Sequence, residues 1–518
     1  MKLRILLVLL AFCVTTTAQT PQNDKALIDD LVLANRMLAS QELGVLDAFG
    51  HVSVRSKTNP NHFYIARYVA PGIVTVSDII ENDLDSQPVN GARNDQYQER
   101  FLHGEIYKAR PDVMAVVHSH TPELVAFGVS SVALRTGDDD QPVPVYDIRK
   151  DNNGRTGIID TPAKAKSMAQ ALGKSNSLLL LGHGAVVVSN SVYGVVSGAS
   201  GLRGSAKMQE MLIAMGGTFD LNPRRPAAGT QRAPRAAVVP SGTGGGAGGD
   251  RGWEYWKQLV TPLISGPDRI PRPAAAMSAE QEAINDLVLA NRMLASREFG
   301  ILGSTGHVSM RSKANPNHYF ISRYVSAGIV KASDIIENDL DSKPVNGPRN
   351  DEYQEVYMHG EILKARPDVM AVLHAHTPEI LAFTESSVSL RPVVNGGTFI
   401  GDGLPMHDVR KFDPRENIIR TPELGKTVAA VLGNAPGVLL KGHGIALTGS
   451  SIPDLVSKAY NLRMNAIIQQ QAIALGGKVT YLDHQPPAPA AASQPASANG
   501  GYNRAWEYWK QIFRVKEN

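Results

Sequence analysis

Three histidines and a glutamate in the first half of the chain have the residue types of a catalytic metal site. His118 and His120 lie two residues apart in a segment with a strand pattern, so both side chains leave the same face. His183 lies between two glycines, which allow the backbone to turn sharply beside another group. Three imidazoles with one open coordination position are typical of catalytic zinc sites. Glu99 lies nineteen positions before His118, and a carboxylate beside a metal can transfer protons for a bound substrate.

The same residue types recur in the second half of the chain as Glu355, His374, His376 and His443. The glutamate again precedes the first histidine by nineteen positions. The step from that histidine to the one between glycines is 65 residues in the first set and 69 in the second. A single pair of histidines on a strand is equally consistent with ordinary packing, and a single Gly-His-Gly with a turn. Because the whole set recurs, we expect two metal sites, each with one divalent ion on three histidines.

The recurrence extends over most of the chain, which indicates a tandem duplication. Three identical stretches are each displaced by 256 residues: LVLANRMLAS at 31–40 and 287–296, SDIIENDLDS at 77–86 and 333–342, and ARPDVMAV at 109–116 and 365–372. A Pro-, Gly- and Ala-rich stretch follows each copy and precedes WEYWKQ, which begins at Trp253 and at Trp506. We expect these stretches to be flexible linkers and the WEYW segments to dock as short helices. Ligand binding through their aromatic rings is the alternative.

Length and charge limit the domain count and the partners. A chain of 518 residues suits about two domains. The expected ranges are a signal peptide at 1–18, a first domain at 24–221, a linker with the first WEYW segment at 222–277, a second domain at 278–483, and a linker with the second WEYW segment at 484–518. Lys and Arg number 52 against 49 Asp and Glu, without a long basic block. Neither nucleic acid nor an anionic membrane is therefore expected as a partner.

The first 18 residues have the layout of a secretory signal peptide. Lys2 and Arg4 begin an N-terminal segment with an apolar run at 5–14 and small residues at 16–18. The run is too short to cross a bilayer comfortably, and an apolar N-terminal helix is the alternative. Cys13, the only cysteine, lies here, so the mature chain would have neither disulfides nor thiolate metal ligands. We expect a periplasmic or secreted protein that does not associate with the membrane after cleavage.

Helical and strand patterns alternate within each copy. In the first copy, residues 26–40, 96–109 and 192–215 have helical patterns, and the second of these ends before a proline. GHVSVR, HFYIARYV and VMAVVHSH have strand patterns, and LLLLGHGAVVVS indicates two strands joined by a glycine-flanked turn. This alternation predicts an α/β fold in which helices cover both faces of a sheet. Glu99 then lies on the helix that leads to the strand of the paired histidines.

Each copy resembles the class II aldolase/adducin family over nearly all of its globular part. The resemblance depends on GHVSVR at 50–55, Glu-x18-His-x-His at 99–120 and Gly-His-Gly at 182–184, with counterparts at 306–311, 355–376 and 442–444. It implies two tandem three-layer α/β/α sandwich domains, each with a divalent ion on its three histidines. It also implies cleavage of a carbon–carbon bond through a metal-stabilised enolate. Glu99 and Glu355 would be the acid/base groups.

Other polar residues are candidates for the substrate pocket. His51 and His307 lie in a loop that the family uses to build its pocket. Arg67 and Arg323 could bind a substrate carboxylate through two parallel hydrogen bonds, or be solvated.

Two more matched pairs have open roles. His103 and His359 follow the glutamates by one helical turn, and either hydrogen-bond them or serve the fold. Tyr146 and His407 occupy matching places for which no role is assigned.

The sequence therefore predicts a metal-dependent lyase, either an aldolase or a decarboxylase. Within the family, GHVSVR with HGEIYKARPDV is most similar to decarboxylases of hydroxylated aromatic or pyridine dicarboxylates. An adjacent hydroxyl and carboxylate of such substrates can chelate an ion. Three neutral histidines suit zinc, manganese, iron and cobalt, so an iron-dependent oxygenase is one alternative. A non-catalytic, adducin-like binding protein is the other, and the two complete sets of histidines argue against it.

The pocket residues also bear on the substrate. Sugar-phosphate aldolases of the family hold phosphate with small hydroxyls and backbone N–H groups. At those positions this chain has His51 and His307, Pro71 and Ala327, and the pairs Tyr97-Gln98 and Tyr353-Gln354. We expect a small-molecule substrate without phosphate, unless other residues bind one. Because family members usually form tetramers with sites between subunits, we also expect a homo-oligomer, a dimer of two-domain chains.

Overall fold

The computed structural model describes residues 22–136, 141–216, 278–483 and 504–515. These residues form two seven-stranded sheets, one in each copy, with helices packed against them. The predicted signal peptide, the linker with the first WEYW segment and the second linker up to residue 503 lie outside the described residues. Within the described ranges, no helix is long and apolar enough to cross a membrane.

The first domain is a mixed sheet with helices on both faces. Its described helices are α1 (Gln22–Leu38), α2 (Arg100–Ala109), α3 (Pro122–Val129), α4 (Pro162–Leu172) and α5 (Val192–Ala214). Its strands are β1 (His51–Arg55), β2 (His62–Ala66), β3 (Ile79–Asp83), β4 (Ala115–Ser119), β5 (Val145–Tyr146), β6 (Ser177–Leu180) and β7 (Gly184–Ser189). The strand order is β3-β2-β1-β4-β7-β6-β5, antiparallel except for β5 beside β6.

The second domain repeats this architecture. Its described helices are α6 (Ala279–Ala295), α7 (Val356–Ala365), α8 (Pro378–Glu385), α9 (Pro422–Leu432) and α10 (Ile452–Ala474). Its strands are β8 (His307–Arg311), β9 (His318–Ser322), β10 (Ile335–Asp339), β11 (Ala371–Ala375), β12 (Met406–His407), β13 (Gly437–Leu440) and β14 (Gly444–Gly449). The C-terminal helix α11 (Arg504–Val515) follows.

Alternate residues of the central strand β4 face opposite sides of the sheet, and helices cover both sides. Val117 packs in one buried cluster with Leu31 of α1. Val116 packs on the other side with Ile106 of α2 and Met168 of α4. The second domain has the same two clusters, one on each side of β11. Removing these apolar faces from water drives the layers together. The predicted pair of α/β/α sandwiches is confirmed.

The helix next to Glu99 begins later than the sequence pattern predicts. The pattern indicates a helix from residue 96, whereas α2 begins four residues later and Glu99 is its N-cap residue. Gln96 instead forms a β-bridge with Arg67. The buried hydroxyl of Tyr97 donates to the carbonyl of Val69. These contacts hold the segment in irregular structure, so Glu99 lies at the helix end and its carboxylate reaches the central strand.

The two domains pack together through α3 and α10. Val129 of α3 lies in a buried cluster with Ile468 of α10. The chain after α10 adds main-chain hydrogen bonds, from Thr480 N to Val129 O at 2.7 Å and from Ser131 N to Lys478 O at 2.8 Å. Apolar burial and paired backbone groups together fix α10 against the first domain.

Helix α11 contains the second WEYW segment, and it docks as a short helix. Trp506 and Trp509 are each 4% exposed, and the Trp509 ring lies 5.0 Å from the ring of Phe299 in the second domain. The same helix reaches the first domain, where Arg504 donates a hydrogen bond to the carbonyl of Phe49 at 3.0 Å. The helix therefore contacts both domains.

Candidate functional site

The first domain brings its three predicted metal ligands and Glu99 together. His118 lies in β4, His120 directly follows that strand, and His183 lies in the turn between β6 and β7. The ring centroid of His118 lies 4.6 Å from that of His120 and 4.9 Å from that of His183. Carboxylate oxygens of Glu99 lie 3.5 Å from His118 Nε2 and 3.4 Å from His183 Nε2. One nitrogen or oxygen from each residue lies within 4.8 Å of all the others, so one ion could contact all four.

Glycines on both sides of His183 allow this approach. Gly182 has φ +65°, a conformation that side-chain-bearing residues rarely adopt. A Cβ on Gly184 would lie 2.1 Å from the carbonyl oxygen of Ser119, so β7 can meet β4 this closely only with glycine here. Gly442 and Gly444 repeat both features in the second domain. The Gly-His-Gly motif is therefore required by close packing as well as by a turn.

Hydrogen bonds on the outer side of two rings determine which nitrogen faces the centre. His118 Nδ1 lies 3.1 Å from the carbonyl oxygen of Ala185, and His120 Nδ1 lies 3.1 Å from Oδ1 of Asp47. With the Nδ1 protons donated outward, the Nε2 atoms of the two rings face each other at 3.0 Å. Facing lone pairs at this distance are favourable only with a proton or a cation between them. Asp47 is a site residue that no sequence motif marks.

The protonation states of His183 and Glu99 suit a divalent cation. Burial lowers the pKa of His183 to about 3, so this imidazole is neutral at neutral pH. Burial opposes ionisation of Glu99, but the nearby His183 and His118 hold the pKa of its carboxyl well below the usual range. Metal binding needs neutral imidazoles and an ionised carboxylate. Nitrogen ligands of this kind fit zinc, manganese, iron or cobalt.

The second domain forms an equivalent cluster. The ring centroid of His374 lies 4.5 Å from that of His376 and 4.9 Å from that of His443. Glu355 oxygens lie 3.2 Å from His374 Nε2 and 3.4 Å from His443 Nε2. His374 Nε2 and Glu355 Oε1 are buried without a hydrogen-bond partner, as expected for atoms that face an ion. The partner of His376 Nδ1 is the hydroxyl of Thr305 at 3.1 Å, where the first domain has a carboxylate.

His51 lies beside the first cluster and His307 beside the second. His51 pairs with His118 across β1 and β4, and its ring centroid lies 4.4 Å from that of Tyr97. Its Nδ1 lies 2.8 Å from His103 Nε2, and His103 Nδ1 lies 2.6 Å from Ser53 Oγ. His103 therefore orients His51, and its hydrogen bonds do not reach the carboxylate of the glutamate.

The second domain repeats this hydrogen-bonded chain. His307 Nδ1 lies 2.9 Å from His359 Nε2, which lies one helical turn after Glu355. His307 pairs with His374 across β8 and β11.

The two arginines proposed as carboxylate partners form ion pairs within their own domains. Arg67 Nε donates to Asp78 at 2.7 Å, and Arg323 Nε donates to Asp334 at 2.8 Å. Arg67 is not among the residues that line the cavity at the first cluster.

Tyr146 and His407 also form local contacts. The hydroxyl of Tyr146 donates to Asp151 at 2.9 Å, and His407 Nε2 lies 2.8 Å from Thr427 Oγ1.

A cavity of about 320 Å³ opens at the first cluster and is lined by both domains. This volume is at the lower end of the range for small-molecule sites, roughly 300–1,000 Å³, and suits a substrate with one ring. From the residue set of the first cluster, Glu99, His120 and His183 line it. Its lining also includes Tyr68, Tyr97, Tyr460 and Arg504.

The residues that reach this cavity from the second domain were missed by sequence reasoning. Tyr460 and Asn461 of α10 line it, whereas the matching positions of α5 are Ser200 and Gly201. A comparison of the two copies therefore hides them. Arg504 could have been found from the sequence, because an arginine lies at the same position before each WEYW segment.

Comparison with known proteins gives the family of the chain. The family model described as "Class II Aldolase and Adducin N-terminal domain" matches residues 29–209 and again 285–470. Decarboxylase tropJ of Talaromyces stipitatus is 34% identical over 190 residues, which cover 34% of this chain and 71% of that protein. The 3,4-dihydroxyphthalate decarboxylase of Arthrobacter keyseri is 31% identical over 202 residues, which cover 38% of this chain and 81% of that protein.

Among solved structures, an aldolase II superfamily protein from Pseudomonas syringae is 21% identical, with a TM-score of 0.37 over 47% of this chain and 94% of that one. The two ranges matched by the family model make up most of the described residues. The chain belongs to the class II aldolase and adducin family and carries two copies of its domain in tandem.

Proposed function

We propose that the chain is a metal-dependent lyase that decarboxylates hydroxylated aromatic acids. The observation that carries this proposal is the arrangement of three histidines and Glu99 around one point, in a cavity of about 320 Å³ with aromatic walls. The names of the two relatives, both decarboxylases, support a carboxy-lyase over an aldehyde-lyase. Both domains carry the complete residue set, so we propose one site in each.

The histidines and the aromatic walls would bind and orient the reactants. His118, His120 and His183 would hold the ion, which when bound supplies a Lewis acid that stabilises negative charge on a substrate oxygen. Tyr68 and Tyr97 would bind the faces or edges of a substrate ring. Helix α10 of the second domain would exclude water from the same space.

Glu99 would move the proton. As a carboxylate it can accept the proton of the hydroxyl next to the departing carboxylate. The carbon–carbon electron pair then passes into the ring as carbon dioxide leaves, and Glu99 returns its proton to the ring carbon. Water afterwards restores the hydroxyl proton. The carboxylate lies 3.4 Å and 3.5 Å from two of the histidine nitrogens, and hence beside any group that these histidines hold.

The substrate is proposed to lack a phosphate. Tyr97 fills space directly before Glu99, and its hydroxyl is used by the carbonyl of Val69. Pro71 has no backbone N–H to offer to a phosphate oxygen. A pocket with aromatic walls and few hydrogen-bond donors suits a flat aromatic acid better than a sugar phosphate.

Two other activities could use the same residues. Aldol cleavage would need the same proton transfer and the same stabilisation of charge. An iron-dependent oxygenase is the other candidate, because imidazole ligands suit iron as well as zinc.

The test is carbon dioxide release from 3,4-dihydroxyphthalate by the full chain loaded with zinc, manganese or iron, with and without oxygen. Release that is independent of oxygen supports the decarboxylase. Turnover that requires oxygen and iron contradicts the decarboxylase and indicates an oxygenase. Cleavage of a hydroxy-oxo acid to an aldehyde, without carbon dioxide release from any aromatic acid, replaces it with an aldolase. A metal-loaded chain without any of these activities contradicts the proposal and leaves the adducin-like binding protein.

A further inference from the structure

Arg504 is the first residue of the C-terminal helix α11, and it lines the cavity at the first cluster. Helix α11 follows the second range matched by the family model, which ends at residue 470. Trp506 and Trp509 are buried in the core of the second domain. They hold the helix so that Arg504 lines the same cavity as Glu99 and His120.

Arg504 is a buried cation with unused donors. The residue is 5% exposed, and no ion pair among the described residues includes it. Nη2 donates to the carbonyl of Phe49 at 3.0 Å, whereas Nε and Nη1 are buried without a hydrogen-bond partner. The guanidinium carbon lies 4.3 Å from the ring centre of Tyr68 and 4.9 Å from that of Tyr97. The rings orient the cation and leave two nitrogens with N–H groups for a ligand.

A buried guanidinium without a counter-ion is unfavourable, because burial removes its hydration and no protein carboxylate replaces it. An anion that enters the cavity offsets this cost. The planar guanidinium matches the geometry of a carboxylate, and the hydrogen bonds between them are charge-assisted. A carboxylate on one aromatic ring fits both the guanidinium and the volume of the cavity.

We propose that Arg504 binds a carboxylate that the substrate keeps, which makes the first site specific for aromatic dicarboxylic acids; this inference rests on the proposed decarboxylation. A carboxylate that leaves as carbon dioxide loses its negative charge as the carbon–carbon bond breaks. An arginine bound to that group would stabilise the substrate more than the transition state. A retained carboxylate keeps its charge, so its contact with Arg504 positions the ring without raising the barrier.

The kinetic test compares two substrates that differ only in this group. 3,4-Dihydroxyphthalate has both carboxylates, and 2,3-dihydroxybenzoate lacks the one that is retained. In a Glu355→Gln background, only the first site turns over. Arg504→Gln should raise KM for 3,4-dihydroxyphthalate about 10- to 100-fold, the loss expected for a hydrogen bond between charged groups, while kcat changes little. The kinetics of 2,3-dihydroxybenzoate should change by less than about threefold, since it makes no contact with Arg504.

A matched variant controls for charge and for the helix. Lys510→Gln removes the same charge from α11, but Lys510 pairs with Glu507 on that helix and does not line the cavity. It should leave both substrates unaffected. Arg504→Lys should recover part of the affinity for 3,4-dihydroxyphthalate, because it restores the charge without the planar donor set. A purely structural arginine would affect both substrates equally and would not be rescued in this selective way.

Binding measured without turnover separates this inference from the proposed function. Calorimetry with 3,4-dihydroxybenzoate, which retains the carboxylate, should show about 10- to 100-fold weaker binding to Arg504→Gln than to the parent chain. Catechol, which has no carboxylate, should bind both equally. This pattern supports the inference even if the chain releases no carbon dioxide. Equal binding of 3,4-dihydroxybenzoate by both proteins, at unchanged melting temperature, overturns it even if decarboxylation is observed.

Discussion

Glu99 and Glu355 each lie within 3.5 Å of two imidazole nitrogens, and in this account they transfer protons while the histidines hold the ion. Glu99→Gln combined with Glu355→Gln keeps the shape of the side chain and removes the proton acceptor. We expect turnover to fall about 10²- to 10⁴-fold, the usual contribution of general acid–base catalysis. The metal content should stay within experimental error. Steady-state assays and elemental analysis of one preparation check both, and undiminished turnover would remove the glutamates from the mechanism.

Asp47 distinguishes the first site from the second. It accepts a hydrogen bond from His120 Nδ1, whereas the partner in the second domain is the hydroxyl of Thr305. A carboxylate partner makes an imidazole a stronger metal ligand. Asp47→Asn should weaken metal binding at the first site about 10- to 100-fold, because the amide still accepts backbone hydrogen bonds but lacks the charge.

Competition titration with a chelating dye measures this effect. Thr305→Ala is the control, and it should weaken the second site by less than about tenfold because a neutral partner is lost. Equal effects of the two substitutions would contradict the role given to the carboxylate.

The eight residues of the two clusters could be predicted because their types and spacing occur twice. Asp47 could not be predicted, since a single aspartate in a loop has no distinguishing pattern. The residue type of Arg67 suggests a substrate role, but in the fold this arginine pairs with Asp78. Sequence identifies the chemistry of a side chain, whereas its partner depends on which segments lie side by side.

At the level of elements, close contact between β7 and β4 positions His183. A Cβ on Gly184 would lie 2.1 Å from the carbonyl oxygen of Ser119, so Gly184→Ala must push the strands apart. We expect a loss of about 1–3 kcal/mol in unfolding free energy, as for other overpacked sites, together with the loss of one ion.

Gly201→Ala provides a control within the same domain. It lies in α5 with nothing within 4 Å of a Cβ, and should stabilise the helix by about 0.5–1 kcal/mol. Denaturant titration and elemental analysis report both effects. A Gly184→Ala protein with both ions and unchanged stability would show that the turn has room for a side chain.

The start of α2 shows where periodicity is insufficient. Residues 96–99 continue a helical pattern, yet tertiary contacts of Gln96 and Tyr97 hold them outside the helix. The existence and type of the long elements followed from the pattern. Their ends depended on contacts that no local signal contains.

At the level of the whole molecule, each domain exposes the counterpart of a helix face that the other domain buries. Ile468 of α10 is 2% exposed because it packs on α3. The matching residue of α5 is Met208, which is 54% exposed, and Met211 beside it is 60% exposed. Helix α8, the counterpart of α3, is also exposed at Ala382. A second chain could therefore pack its α8 on α5, and the reverse contact would close a dimer of chains.

Met208→Glu combined with Met211→Glu should dissociate this dimer. Light scattering after gel filtration at micromolar concentration should give the mass of two chains for the parent and of one chain for the variant. The melting temperature of each domain should change little, since both side chains are exposed. Val76→Glu, at a position that is 53% exposed elsewhere in the first domain, should leave the dimer intact. A parent chain that is monomeric at this concentration contradicts the assembly.

The cavity at the first cluster could be predicted only in part. Its histidines and glutamate recur in both copies, so the sequence alone identified them. Tyr460 and Arg504 come from the second domain and from a helix that follows a long linker, and their position depends on how the domains pack. No pattern within one copy contains that information.

Each domain is proposed to hold one divalent ion on its three histidines. Counting metal ions in the purified full chain and in two variants, His118→Ala and His374→Ala, tests this proposal. These histidines lie at equivalent positions in β4 and β11, and each is fully buried at the centre of its cluster. We expect two ions per chain in the parent and one in each variant. Two ions in either variant, or none in a parent chain supplied with metal, would contradict it.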